Sequence, residues 1–195
     1  MIPSVTVDAD DFEPVEPAAV VDDAGFAAWY RSEHPRLLAT MTIVTRDLHA
    51  AQDVTAEAFA RALAAWPRVS GMDSPTGWTY RVAINVVRRR ARRAALEERL
   101  LHRVAPRRVN EADDAFPAEQ AFELWDAVRA LPPRARTAIA LRYTAGMSET
   151  EVAAAMKVAV GTASATLASA RRALAAALAD TPDEADTPSE GRPNG

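Results

Sequence analysis

Apolar residues recur at three- and four-residue intervals along most of this chain, the spacing that lines one face of an α-helix. The first stripe begins at Phe26 and continues through Tyr30, Leu37, Met41 and Val44. Pro35 falls inside it and is expected to kink or split the helix, because proline removes a backbone donor and crowds the preceding turn. Asp47 is placed to cap a second helix. That helix carries Val54, Ala58, Phe59, Leu63 and Trp66 on its stripe, and Pro67 should stop it. A short loop, Arg68-Val69-Ser70-Gly71-Met72-Asp73, follows. Ser74-Pro75 then pairs a capping side chain with proline at the first helical position. The third helix has Trp78, Val82 and Val86 on one stripe and runs into Arg88-Arg89-Arg90-Ala91-Arg92-Arg93.

Residues 103–118 break the periodicity. They hold Pro106 and Pro117, begin basic, end acidic, and read as a linker. A second helical block comes after them. Leu124, Val128 and Leu131 line one helix, stopped by Pro132-Pro133. Ile139 and Tyr143 belong to the next, closed by Gly146 as a C-cap. Ser148-Glu149-Thr150-Glu151 has the capping-box pattern and opens a short helix with Val152, Ala155 and Met156 inward. After a tight turn, Val160, Ala163, Leu167, Ala170 and Leu174 form the last stripe. Two short helices joined by a tight turn have the layout of a helix-turn-helix. The expected fold is therefore all-α: two small helical domains joined by a linker, the second with a helix-turn-helix. The boundaries fall at 25–102, 103–118 and 119–179, between acidic unstructured ends at 1–24 and 180–195.

Composition agrees with helix, since alanine is abundant and glycine numbers only 7. Charge changes the picture more. The net charge of −4 conceals a gradient along the chain. Residues 1–25 carry −7 and residues 180–195 carry −4, leaving +7 on the middle of the chain. A basic core suits a polyanionic partner, and acidic tails suit solvated ends. There is no cysteine, which excludes disulfides and thiolate chemistry. No run approaches the ~18 consecutive apolar residues of a membrane span. The acidic N-terminus does not resemble a signal peptide. A cytoplasmic protein without membrane insertion is expected.

Catalysis finds little support. His34, His49 and His102 are scattered, and no metal-binding spacing, nucleophile elbow or glycine-rich phosphate loop is present. Asp53 and Glu57 lie four apart on one helix face, where an acidic surface patch is the better reading than a catalytic pair. No enzyme, no metal and no cofactor are expected. Nucleic acid is the favoured partner instead. Between Arg81 and Arg108 ten arginines face only Glu97 and Glu98, a local charge of +8. Such one-signed density neutralises phosphates, and guanidinium forks also read base edges. A solvated face, or a surface for an acidic protein, is the alternative. Trp78 and Tyr80 could stack on unpaired bases or serve the core, but two positions apart on a helix they cannot face the same way. Asn85, one turn before Arg88, could bond a base edge.

Two longer runs carry a family resemblance. Ala50-Ala51-Gln52-Asp53-Val54-Thr55-Ala56-Glu57-Ala58-Phe59-Ala60-Arg61-Ala62-Leu63 and Gly77-Trp78-Thr79-Tyr80-Arg81-Val82-Ala83-Ile84-Asn85 resemble region 2 of the extracytoplasmic-function (ECF) sigma factors. Leu131-Pro132-Pro133-Arg134-Ala135-Arg136-Thr137-Ala138-Ile139-Ala140-Leu141-Arg142-Tyr143, with Gly146-Met147-Ser148-Glu149 and Glu151-Val152-Ala153, resembles region 4. The resemblance covers about residues 26–178. It implies that Asp53, Glu57, Phe59 and Arg61 face the β′ clamp of core RNA polymerase. It implies that Ser70, Trp78, Tyr80, Arg81, Asn85, Arg88 and Arg89 bind and help open the −10 promoter element. The last helix would enter the major groove at −35 through Thr162, Ser164, Thr166, Ser169, Arg171 and Arg172. The same domain would touch the β flap, and 103–118 would thread towards the active-site channel. An anti-sigma factor is a further partner the family suggests.

The last helix departs from the family pattern. The family's turn is Gly-Val-Ser, followed by Val-Lys-Ser-Arg-Leu-His-Arg-Ala-Arg. Here the turn is Lys157-Val158-Ala159, and the helix reads Ala163-Ser164-Ala165-Thr166-Leu167-Ala168-Ser169-Ala170-Arg171. Ala159 stands where serine would cap, a loss of ~1 kcal/mol by typical values. Lys157 stands where glycine would accept a left-handed turn. Ser164, Thr166 and Ser169 replace three basic residues, which would lower the salt dependence of DNA binding by roughly three units. Weak or altered −35 recognition is expected. The leading reading is a sigma factor that directs initiation mainly through the −10 side. Its rivals are a sigma-like protein that docks on polymerase or an anti-sigma factor without directing initiation, and a DNA-binding regulator that ignores polymerase.

Overall fold

The computed structural model describes residues 23–101 and 119–179, and these are helical wherever they are regular. The expected linker and most of both expected tails lie outside them. The first block is α1 (Asp23–Thr45), α2 (Leu48–Ala64), the single turn α3 (Trp66–Val69) and α4 (Pro75–Leu101). α1 begins two residues inside the expected N-terminal tail. It also runs straight through Pro35. Pro35 and Arg31 are both exposed, so water can reach the carbonyl that proline leaves without its helical donor. Asp47 caps α2 as expected, its Oδ1 accepting from Ala50 N at 2.9 Å. Pro67 does not end the helical path. It sits in the first turn of α3, where a missing N–H costs nothing. Ser74 Oγ accepts from Gly77 N at 3.0 Å and starts α4.

The second block is α5 (Glu119–Ala130), α6 (Pro133–Ile139), a π-helical turn (Ala140–Thr144) continuous with α6, then α7 (Glu149–Met156) and α8 (Val160–Ala179). The π-helical turn sets which way Tyr143 faces. Ala145 N bonds Ala140 O, five residues back, so the stretch holds one residue more than an α-helical turn and shifts in phase. Ile139, Leu141 and Ala145 stay buried, while Tyr143 swings out to 58% exposure. Leu124 is also outward, at 42%, while Val128 and Leu131 hold the core of their helix. Gly146 closes the segment at φ +70.

The capping box at α7 is complete. Glu151 N donates to Ser148 Oγ at 3.2 Å, and Ser148 N donates to Glu151 Oε2 at 2.8 Å. The Ser148 hydroxyl, which also donates to Glu151 Oε2 at 2.7 Å, and then the Ser148 N–H hold the Glu151 carboxyl below its ordinary range. A carboxylate whose pKa is depressed by folding adds stability above its unfolded value, and that stability is lost as pH falls through the folded one. Ser148→Ala is expected to cost about 1 kcal/mol in urea unfolding at neutral pH, and the difference should shrink on acidification below the ordinary Glu range. Lys157 ends α7 in the left-handed region, at φ 51 and ψ 53, the conformation for which glycine is the easier residue.

Candidate nucleic-acid interface

α4 holds the site. Its buried face is Thr79, Tyr80, Ala83, Ile84 and Val86, so the core stripe centres on Tyr80 and Ile84. Trp78 and Val82, expected on the stripe, are only half-buried at its margin. This corrects Tyr80. It is 1% exposed, its hydroxyl lies 3.4 Å from Thr40 Oγ1, and it is a core residue with no surface to offer a base. Burial pushes its phenol up to about 12. Phe59 is corrected in the same way. At 3% exposure it packs edge-on against Trp29 and Tyr30, and any partner must be met by its neighbours.

The other α4 candidates reach the surface. Arg81 and Arg89 are exposed, and Asn85 and Arg88 are half-buried. Ser70 is exposed at the end of α3. Past Arg88 the helix projects, and Arg89, Arg90, Arg92 and Arg93 are all exposed. α2 packs beside α4 and brings its acidic face to these arginines. Glu57 Oε1 accepts from Arg61 Nη2 at 2.7 Å and from Arg89 Nη2 at 2.8 Å. Arg90 reaches Asp53 Oδ2 at 3.3 Å and Glu57 Oε2 at 3.6 Å. Sequence reasoning does not single out Arg90. Position within the basic run is its only signal, because its carboxylate partners lie more than thirty residues away. These pairs are solvent-exposed, worth about 0–1 kcal/mol each, so the arginines can exchange carboxylates for phosphates at small cost.

The last helix carries much less charge. Thr162, Ser169, Arg171 and Arg172 are exposed, while Ser164 and Thr166 are half-buried. Both of the latter are already engaged. Ser164 Oγ donates to Glu149 Oε2 of α7, and Thr166 Oγ1 donates to Thr162 O at 2.7 Å. Basic groups appear on α8 only from Arg171 onward. Among the described residues no cluster of three or more His, Asp or Glu could hold a metal ion. No single described helix is long and apolar enough to cross a membrane.

An arginine-rich helix braced by an acidic one is thus followed by a capped helix-turn-helix. Residues 29–97 match the family model for Sigma-70 region 2, and residues 121–174 match that for Sigma-70, region 4. The RNA polymerase sigma-E factor of Streptomyces antibioticus is 32% identical over 145 residues, covering 74% of this chain and 78% of that one. The chain thus belongs to the ECF subfamily of the sigma-70 family of transcription initiation factors. Its fold is similar to that of the sigma factor RpoE from Bartonella quintana, solved with the anti-sigma factor NepR. That match has a TM-score of 0.69 at 20% identity and covers 81% of this chain and 99% of RpoE. CnrH, solved with the cytosolic domain of CnrY, matches with a TM-score of 0.55 at 21% identity, over 82% of this chain and 92% of CnrH.

Proposed function

We propose that this sigma factor binds core RNA polymerase through the exposed face of α2 and opens promoter DNA through α4. The observation that carries the reading is the adjacency of the two faces: the Asp53–Glu57–Arg61 row of α2 lies along the Arg89–Arg90 row of α4. A clamp docked on the first would stand beside DNA held by the second. Arg81 and Arg89 meet phosphates, Asn85 reaches a base edge, and Trp78 with Ser70 flanks the opened −10 element. The second domain touches the β flap and grips −35 mainly through Arg171 and Arg172. Its hold is weak, because Ser164 and Thr166 spend their hydroxyls inside the domain. The work takes place in the cytoplasm and involves no catalysis by this chain. An anti-sigma factor is a further partner, a reading supported by fold likeness to RpoE, which was solved with one.

The double variant Asp53→Asn/Glu57→Gln should lose stoichiometric binding to core polymerase in size-exclusion chromatography while staying folded, since it breaks four surface pairs worth about 0–1 kcal/mol each and adds no like charge beside the arginines. Retention of full binding would remove α2 from the docking surface. The second reading is a sigma-like protein that docks without directing initiation, and the neutral face of α8 favours it. Cross-linking of −35 DNA from a probe at Thr162 or Ser169 counts against that reading.

A further inference from the structure

The loop between α3 and α4 carries Ser70, and α4 follows it with Trp78. Arg68, Ser70, Gly71 and Asp73 are exposed, while Val69 is fully buried and Met72 half-buried. Backbone bonds fold the stretch on itself. Ser70 N donates to Trp66 O at 2.8 Å, and Met72 N donates to Val69 O at 3.1 Å. A loop holds a ligand less precisely than a helix does unless packing and hydrogen bonds from behind fix it. Each end of this loop has such a support. Trp66, at the start of α3, is buried. At the other end Ser74 caps α4, in a space so close that a Cβ added at Gly77 would lie 2.7 Å from Ser74 Oγ.

One side chain touches both ends. Trp29 of α1 packs its ring on Trp66, with centroids 4.9 Å apart, and edge-on against Phe59 of α2 at 5.2 Å. Phe26 joins the stack from the same helix, edge-on to Trp66 at 5.2 Å. The Trp29 indole Nε1 then donates to Thr76 Oγ1, in the first turn of α4, at 3.4 Å. An indole suits this place because it combines a broad apolar face with one donor. Phenylalanine there would keep a ring in the stack and lose the donor.

We propose that Trp29 is a positioning residue for −10 recognition: it spans the base of the α3–α4 loop, from Trp66 to Thr76, and so sets the shape the loop presents to an unpaired base. The proposal rests on the promoter-opening role assigned to α4 and Ser70. Trp29 lies half-buried behind the loop and acts through Trp66 and Thr76, not by touching DNA.

Conservative variants separate the tie from the stack. Trp29→Phe removes the donor, Thr76→Val removes the acceptor at nearly the same shape, and Thr76→Ser keeps an acceptor and serves as the rescue. In the free full chain, amide exchange at Ser70, Met72 and Gly77 should speed up by roughly two- to tenfold in Trp29→Phe and in Thr76→Val, the range one hydrogen bond supports. The double variant should gain nothing further, since both changes break the same bond. Val54 and Ala58 of α2 should exchange as in the parent, and Thr76→Ser should match the parent throughout. With core polymerase, opening is read from a fluorescent base analogue on templates that carry each base in turn through the −10 element. Trp29→Phe and Thr76→Val should bind polymerase as the parent does and lose severalfold of the preference among bases at the position the loop holds, with preferences elsewhere unchanged. A uniform loss of opening with every base preference intact would make Trp29 a plain core residue and overturn the proposal. Parental exchange of the loop amides in both variants overturns it too. If the parent itself opens no template, the promoter-opening role fails and takes the −10 half of the proposal with it, while faster loop exchange in both variants would still establish Trp29 as the brace of the loop.

Discussion

Replacing Arg81, Arg89 and Arg93 together with alanine should lower the salt dependence of promoter binding by roughly two to three units of slope, at about 0.7–0.9 for each phosphate no longer neutralised. All three are exposed on α4, so the fold should survive. The one ion pair among them with a partner across the chain is Arg89 with Glu57, on a side chain more than half exposed. The weakening should be nearly uniform across promoter sequences, as expected for groups that meet phosphates. Arg171→Ala/Arg172→Ala should shift the slope by at most about two units, because α8 offers no other cation towards DNA. Binding measured across a salt series settles both. An unchanged slope in the α4 triple variant would mean that the phosphates lie elsewhere.

Tyr80 carries the second large effect. Tyr80→Ala should cost about 3–5 kcal/mol, the usual loss for a buried aromatic ring. Tyr80→Phe should cost about 1 kcal/mol or less. The hydroxyl contact to Thr40 is long at 3.4 Å, and Thr40 keeps its bond to the Arg36 carbonyl at 2.8 Å. The phenol also makes stability depend on pH. Its pKa is raised from 10.0 to about 12, so the folded state favours the neutral form. That contribution is complete below pH 10 and is lost as pH rises towards 12. Urea unfolding at rising pH should show the loss in the parent and not in Tyr80→Phe. If Tyr80→Phe lost promoter opening while staying folded, the hydroxyl would be reaching DNA after all.

Periodicity made most of the core legible. Leu37, Met41, Val44, Val54, Ala58, Val152, Met156, Ala163 and Leu167 are buried where a 3.6-residue repeat puts them. Capping chemistry was equally readable at Asp47, Ser74 and Ser148, because each of those side chains accepts from the backbone N–H three residues ahead. Pattern failed where the backbone changed phase or where the apolar arc was wide. The π-helical turn exposed Tyr143. On α4, Trp78 and Tyr80 both qualified by type, and the buried face of Thr79, Tyr80, Ala83, Ile84 and Val86 puts Tyr80 in the core and Trp78 at its margin. Phe59 shows the same limit in the candidate site: a motif position marks a helix as important without saying which way the ring points. The Arg88–Met156 hydrogen bond and the Glu57–Arg89 pair join residues 68 and 32 apart, and no local rule finds them.

Promoter melting in a reconstituted system tests the central claim most directly. A fluorescent base analogue in the −10 element of promoters from the source genome should brighten when this chain and core polymerase are added together, and with neither alone. Trp78→Ala and the α4 arginine variant should suppress that signal, while the two α8 arginine substitutions reduce it only modestly. Formation of a stable complex with polymerase, with no promoter opened, would contradict the claim and leave a sigma-like docking protein.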